Sequence, residues 1–238
     1  IRIFFLLINN HLFYLPDGDM DAKSFERFAW ENSQDGFLNN FNNYSGPDAY
    51  FFSFMLAIPY SLFGRSILLA QSLSIFFGIA CVLFGWLLAK KIWDKHSAIK
   101  VGWSIALFPT LISYSVLTMR EVYICFFLLL AMYGIVNWVR DKSLKSIVIV
   151  VIGFVSATFF HGSSIIGLFV FLFLITLDSF KKTFKLILKK RINLKILIII
   201  FSSGLILGLY FMNKIKLPYL QTFEKSINPS FLKNEEIN

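Results

Sequence analysis

Residues 50–64 read YFFSFMLAIPYSLFG. The stretch is apolar, but it falls short of the about 20 residues that cross a bilayer core of ~30 Å. Pro59 interrupts it and Gly64 ends it. By length alone it reads as a short helix that lies at a membrane interface or dips into it. Downstream charges decide between that reading and a full crossing. Lys90, Lys91, Lys95 and Lys100 fall between two apolar runs, Arg140, Lys142 and Lys145 between the next two, and segment 181–195 is the most basic of all. The intervening turns, at 118–121 and 161–164, are nearly uncharged by comparison. Loops rich in Lys and Arg stay on the cytoplasmic side. The alternation holds only if residues 50–64 do not cross, because a crossing there would invert every later loop.

Working outward, apolar runs at 66–89, 98–118 and 121–139 read as spans, with shorter runs at 146–160, 164–180 and 196–212. Residues 1–14, IRIFFLLINNHLFY, read as the end of a first span in a chain whose true N-terminus is missing. The expected fold is therefore an all-α, polytopic membrane protein of about seven transmembrane helices. Residues 1–212 form the membrane module. Within it, 15–64 is an external loop carrying interfacial helices, and 66–212 holds the later spans. Residues 213–238 are expected to be an external tail.

Composition agrees. Of 238 residues, 57% are hydrophobic and 16% charged, with 29 phenylalanines, against roughly 25% charged in soluble domains. A soluble domain of this length cannot bury so much apolar surface. That excludes a soluble enzyme, a nucleic-acid reader and a disordered linker. Cys81 and Cys125 both lie in apolar runs, which excludes a disulfide scaffold. The net charge of +9 then marks topology and not nucleic-acid binding.

The polar residues of chemical interest fall on the expected external face. The segment PDGDMDAKSFERFAWEN at 16–32 reads as a turn followed by a helix from about residue 21. Phe25, Phe28 and Ala29 follow Asp21 at helical spacing and are expected to face the membrane. Asp21 stands at the start of this helix, directed at the lipid interface, or else Asp19 or Asp21 is simply its N-cap. Arg120 and Glu121 sit in a very short turn, as an interfacial ion pair or as a site for an anionic head group. Arg65 is an interfacial anchor or a second anion ligand. His161, in FFHGSS at 159–164, is a polar turn residue or a catalytic or phosphate-contacting group that acts as base or donor.

The order of these features resembles a family. Asp21-Ala22-Lys23-Ser24-Phe25-Glu26-Arg27-Phe28-Ala29, then Pro47-Asp48-Ala49-Tyr50 to Leu62-Phe63-Gly64, then a long span, a basic loop and Phe108-Pro109 are similar to GT-C membrane glycosyltransferases. The closer likeness is to the family 39 relatives that include protein mannosyltransferases and the lipid A aminoarabinose transferase. The resemblance covers about residues 1–140, with Phe25 where a tyrosine is more common. It implies a polyprenyl-phosphate sugar donor, a lipid, glycan or protein acceptor, and a catalytic acidic residue near the start of the first external loop, acting as general base on the acceptor hydroxyl, at Asp21 with Asp19 as competitor. Arg120 and Arg65, with Glu121 and His161 nearby, would contact substrate. No cofactor or metal is expected, since arginine alone can stabilise a lipid monophosphate leaving group. Surrounding lipids are expected partners and nucleic acid is not. The expected location is the inner membrane, with the site facing the periplasm or the exterior. Thr118-Met119-Arg120-Glu121 with Phe160-His161-Gly162-Ser163-Ser164 is also similar to exopolysaccharide polymerase-like membrane proteins. A polymerase is therefore the first alternative, and a non-enzymatic lipid-carrier transporter or flippase the second.

Overall fold

A computed structural model describes residues 1–18, 20–34, 36 and 50–190, with side chains up to residue 177. Asp19, the 196–212 run, the 213–238 tail and residues 191–195 of the basic segment lie outside that description. Among the described residues every regular element is helical. The chain divides into two compact units, Ile1–Ile175 and Thr176–Asn238. In the second, only the continuation of one helix to Lys190 is described.

In order, the helices are α1 Arg2–His11, α2 Asp21–Ser33, α3 Phe51–Phe63, α4 Ile67–Ile92, α5 Lys95–Ala106, α6 Pro109–Val116, α7 Glu121–Asp141 and α8 Leu144–Phe160. A 3₁₀ turn at Gly162–Ser164 leads into α9, Ile165–Lys190. Two of these, α4 and α7, are long and apolar enough to cross a membrane, and α5 with α6 makes a third if the bent pair is one span. The fold is thus all-helical with two to three such elements. Their outer faces carry large apolar side chains in the open, such as Phe76, Ile79 and Leu83 on α4. Such a surface is at ease in lipid.

The run at 98–118 is not one straight helix. It breaks at Leu107-Phe108, and the two halves meet at 57°. Pro109 is the cause. It holds the first position of α6, and Phe108 before it is extended (φ −66°, ψ 115°), as a residue preceding proline must be. Proline also has no N–H with which to continue the helix.

α7 and α8 form an antiparallel hairpin on small residues. A Cβ on Gly153 would stand 2.6 Å from the Ala131 backbone nitrogen, so the two backbones touch directly, as in tightly packed membrane helices. Lys142 ends α7 in the left-handed conformation (φ 48°), and Ser143 caps α8 through the Ser146 N–H. α4 runs alongside α7. The Cys81 thiol donates to the Val122 carbonyl at 3.7 Å, and Lys91 Nζ donates to Asn137 Oδ1 near the other end. Cys81 lies well inside α4, so α7 begins part-way along α4 and leaves a recess above its first turn. Phe51 and Phe52 of α3 enter that recess. Their rings lie 5.1 Å from Phe160 and 5.0 Å from Tyr123.

Both described basic loops gather at one end. Arg140 donates to the Lys91 carbonyl there. α2, α3, the α6–α7 turn and the α8–α9 turn occupy the opposite end. This matches the alternation of charge along the sequence.

Candidate functional site

The stripe that α2 buries differs from the expected one. Ala22, Glu26, Ala29 and Ser33 are buried, while Phe28 remains exposed at 37%. The helix is therefore turned by one residue, about 100° at 3.6 residues per turn, from the face that contains Phe25, Phe28 and Ala29. The partner is α3, whose Ser53 hydroxyl donates to the Phe25 carbonyl at 2.8 Å. Small residues let α2 approach that closely, and Glu26 comes in with them.

Glu26 is 5% exposed and fully engaged. Arg65 grips it with two hydrogen bonds, Nε to Oε1 at 3.0 Å and Nη2 to Oε2 at 2.7 Å. The Tyr60 hydroxyl donates to Oε1 at 3.1 Å. Burial first, and then the adjacent carboxylate, push the Tyr60 phenol well above its usual pKa. The hydrogen bonds that Arg65 donates to Glu26 likewise raise the pKa of its guanidinium. A charged pair with its lone pairs satisfied is what makes a buried carboxylate tolerable. Arg65 thus ties α2 to the start of α4.

Glu26 also lines a cleft of about 300 Å³ among α1, α2, α4 and the Leu117-Thr118 segment. α1 supplies Asn9 and Asn10, and α4 supplies Gln71. Asn10 Nδ2 donates to Gln71 Oε1 at 2.9 Å, and Gln71 Nε2 returns a bond to Asn10 Oδ1 at 3.1 Å. Asn9 Oδ1 accepts the Leu15 N–H at 2.9 Å. Gly18 keeps that turn closed against the cleft, since a Cβ there would sit 3.1 Å from Asn9 Oδ1. Thr118 donates to the Ala22 carbonyl at 2.8 Å. Lys23 stands over the Tyr14 ring, 4.3 Å from its centroid, and both residues line the opening.

Apart from Asp19, which lies outside the described residues, the expected site residues share this end of the bundle without converging on one point. Asp21 is the exposed first residue of α2, directly before cleft residue Ala22. Met20 and not Asp21 holds the N-cap position, and no side chain caps the helix. A carboxylate in the first turn still favours the helix dipole. Arg120 Nε lies 3.7 Å from Glu121 Oε1, and its guanidinium covers the Phe25 ring at 5.6 Å. Glu121 Oε2 is buried with no hydrogen-bond partner among the described residues. His161 is exposed at the end of α8. Arg65 reaches the cleft only through Glu26.

Sequence reading passed over Glu26, Tyr60, Asn9, Asn10 and Gln71. A signal for the last three was present: amides that interrupt otherwise apolar runs, as the Asn9-Asn10 doublet and Gln71 do, are costly in a membrane setting and seldom idle. Compared with family models, curated proteins and solved structures, the chain matches none.

Proposed function

We propose that this chain is the N-terminal membrane module of a GT-C-type glycosyltransferase with about seven spans. It would transfer a sugar from a polyprenyl-phosphate donor at the outer face of the inner membrane. The observation that carries the reading is a cleft with Asn9, Asn10, Glu26, Gln71 and Thr118 in its lining at the end of an apolar bundle, bordered by the first turn of α2, where Asp21 stands exposed. Asp21 acts as general base on the acceptor hydroxyl, and the reaction inverts the sugar carbon in one step. Arg120 receives the departing phosphate and offsets its charge. Arg65, committed to Glu26, holds the scaffold. The gathering of the basic loops at the far end supports an outward-facing cleft.

Asp21→Asn retains size and helix geometry but cannot take a proton near neutral pH. In proteoliposomes supplied with polyprenyl-phosphate sugar it should transfer at least about 100-fold more slowly than wild type, the low end for general-base catalysis. Full activity in this variant would overturn the assignment.

One observation favours a polymerase as second reading. Tyr123 and Phe160 stack at 5.4 Å and 20°, which draws together the Arg120 and His161 segments that resemble polymerase-like proteins. The length of the product separates the two: one added sugar for a transferase, a ladder of repeats for a polymerase.

A further inference from the structure

Deeper along α4 than the cleft, the bundle holds two thiols and a cation. α4 turns Ser74, Gly78, Cys81 and Gly85 inward, a stripe at helical spacing. Gly78 makes room for two other helices. A Cβ there would stand 2.4 Å from Ser115 Cβ of α6 and 3.1 Å from Arg2 Nε of α1. Arg2 Nε donates to the Ser115 hydroxyl at 2.9 Å, and its Nη2 is buried with no hydrogen-bond partner among the described residues. One turn further along α4, Cys81 is fully buried and reaches the Val122 carbonyl of α7. Cys125 follows Val122 by three residues, which puts it on the same face of α7, and it is partly exposed. The two thiols are hydrogen-bond partners. Both pack in the cluster that seats α3.

A cation inside a membrane bundle is costly and marks a functional place by default. A guanidinium near a thiol also favours the thiolate, the form that reacts. Thiols already in contact across two helices are the starting geometry that disulfide closure requires. We propose that Cys81 and Cys125 are a reversible oxidation site, a dithiol that hydrogen peroxide, small and uncharged, converts to a disulfide between α4 and α7. Cys125, the more exposed, reacts first. Its sulfur attacks one peroxide oxygen, the O–O bond breaks, and the sulfur keeps a hydroxyl as sulfenic acid while the other oxygen leaves as water with the thiol proton. The Cys81 sulfur, one turn from Arg2, then attacks Cys125. The S–S bond forms, and the hydroxyl leaves as a second water with the Cys81 proton. Two thiols are oxidised and one peroxide is reduced. The bond cross-links the floor of the recess that seats α3, and its chemistry is independent of any reaction at the cleft.

The test counts thiols. The full chain in lipid nanodiscs is reduced with dithiothreitol, freed of it, and exposed to hydrogen peroxide until free cysteine added to the same sample is oxidised. It is then unfolded in excess maleimide and weighed by mass spectrometry. Wild type should lose both maleimide-reactive thiols together, with a mass lower by two hydrogens and a peptide linking Cys81 to Cys125. Dithiothreitol should restore both. Cys81→Ser should instead accumulate a sulfenic acid at Cys125, trapped by dimedone, whereas Cys125→Ser should leave Cys81 open to maleimide. Arg2→Met keeps the side-chain length and removes the cation. It should slow closure of the bond about tenfold or more, because the thiolate fraction sets the rate of attack. Survival of both thiols in wild type would overturn the proposal. So would oxidation of either cysteine without the linking bond, or a bond that dithiothreitol does not reopen. Dimedone on Cys81 in Cys125→Ser would overturn the order of attack, and unchanged closure in Arg2→Met would overturn the part given to Arg2.

Discussion

Removing the charge of Glu26 leaves Arg65 able to reach water, because 43% of its side chain is exposed. Glu26→Gln should therefore cost about 1–2 kcal/mol, between an exposed ion pair and a broken buried one. Thermal unfolding in detergent measures it, and a loss near zero would mean that α2 is held by α3 alone. Tyr60 adds a pH dependence of known sign. Its raised pKa means that the folded chain keeps the phenolic proton where the unfolded chain loses it, above about pH 10. Stability contributed by Tyr60 is then present below that pH and falls as pH rises through it. Tyr60→Phe should show a shallower loss of melting temperature between pH 8 and 10.5 than wild type. At this scale the sequence was only half legible. Asp21 stands out by type and motif, whereas Glu26 looks like one more solvated acid on a polar helix. Its burial depends on which face α3 covers, and Ser53 and Tyr60 of α3, far along the chain, determine that.

Elements were more legible than residues, because long apolar runs are read from summed hydropathy and need no tertiary knowledge. α4, α7 and α8 begin and end within a few residues of the runs that announced them. The 98–118 run shows the limit of such sums. Hydropathy does not register the one backbone constraint at Pro109 that splits it. Small residues have a similar hidden meaning. Gly153 and Gly162 look alike in sequence, yet a Cβ at Gly153 meets the Ala131 backbone and one at Gly162 meets nothing within 4 Å. Gly153→Ala should thus cost about 1–3 kcal/mol through overpacking, while Gly162→Ala should be nearly silent. Melting temperatures of the two variants, measured side by side, check both halves of the expectation. Equal shifts would mean that the α7–α8 contact is looser than the geometry implies.

For the whole molecule, the gathering of basic loops at one end predicts sidedness. With Cys81 and Cys125 replaced, Ser163→Cys should react with an impermeant thiol reagent added outside intact cells. Leu144→Cys, 79% exposed at the opposite end of the hairpin, should react only after permeabilisation. The reverse pattern would mean that α3 crosses the membrane after all. The recess above α7 carries a consequence for biosynthesis. α2 and α3 leave the ribosome before α4 is made, but the aromatic rings that receive Phe51 and Phe52 belong to α7 and α8, which emerge on the order of a hundred residues later. At translation speeds of about 5–20 residues per second, the α2–α3 pair waits roughly 5–20 s for its seat. Throughout that interval the carboxylate of Glu26 needs Arg65 beside it, or water. Arg65 follows α3 almost at once, so the ion pair is available to the nascent chain long before the bundle that finally encloses it.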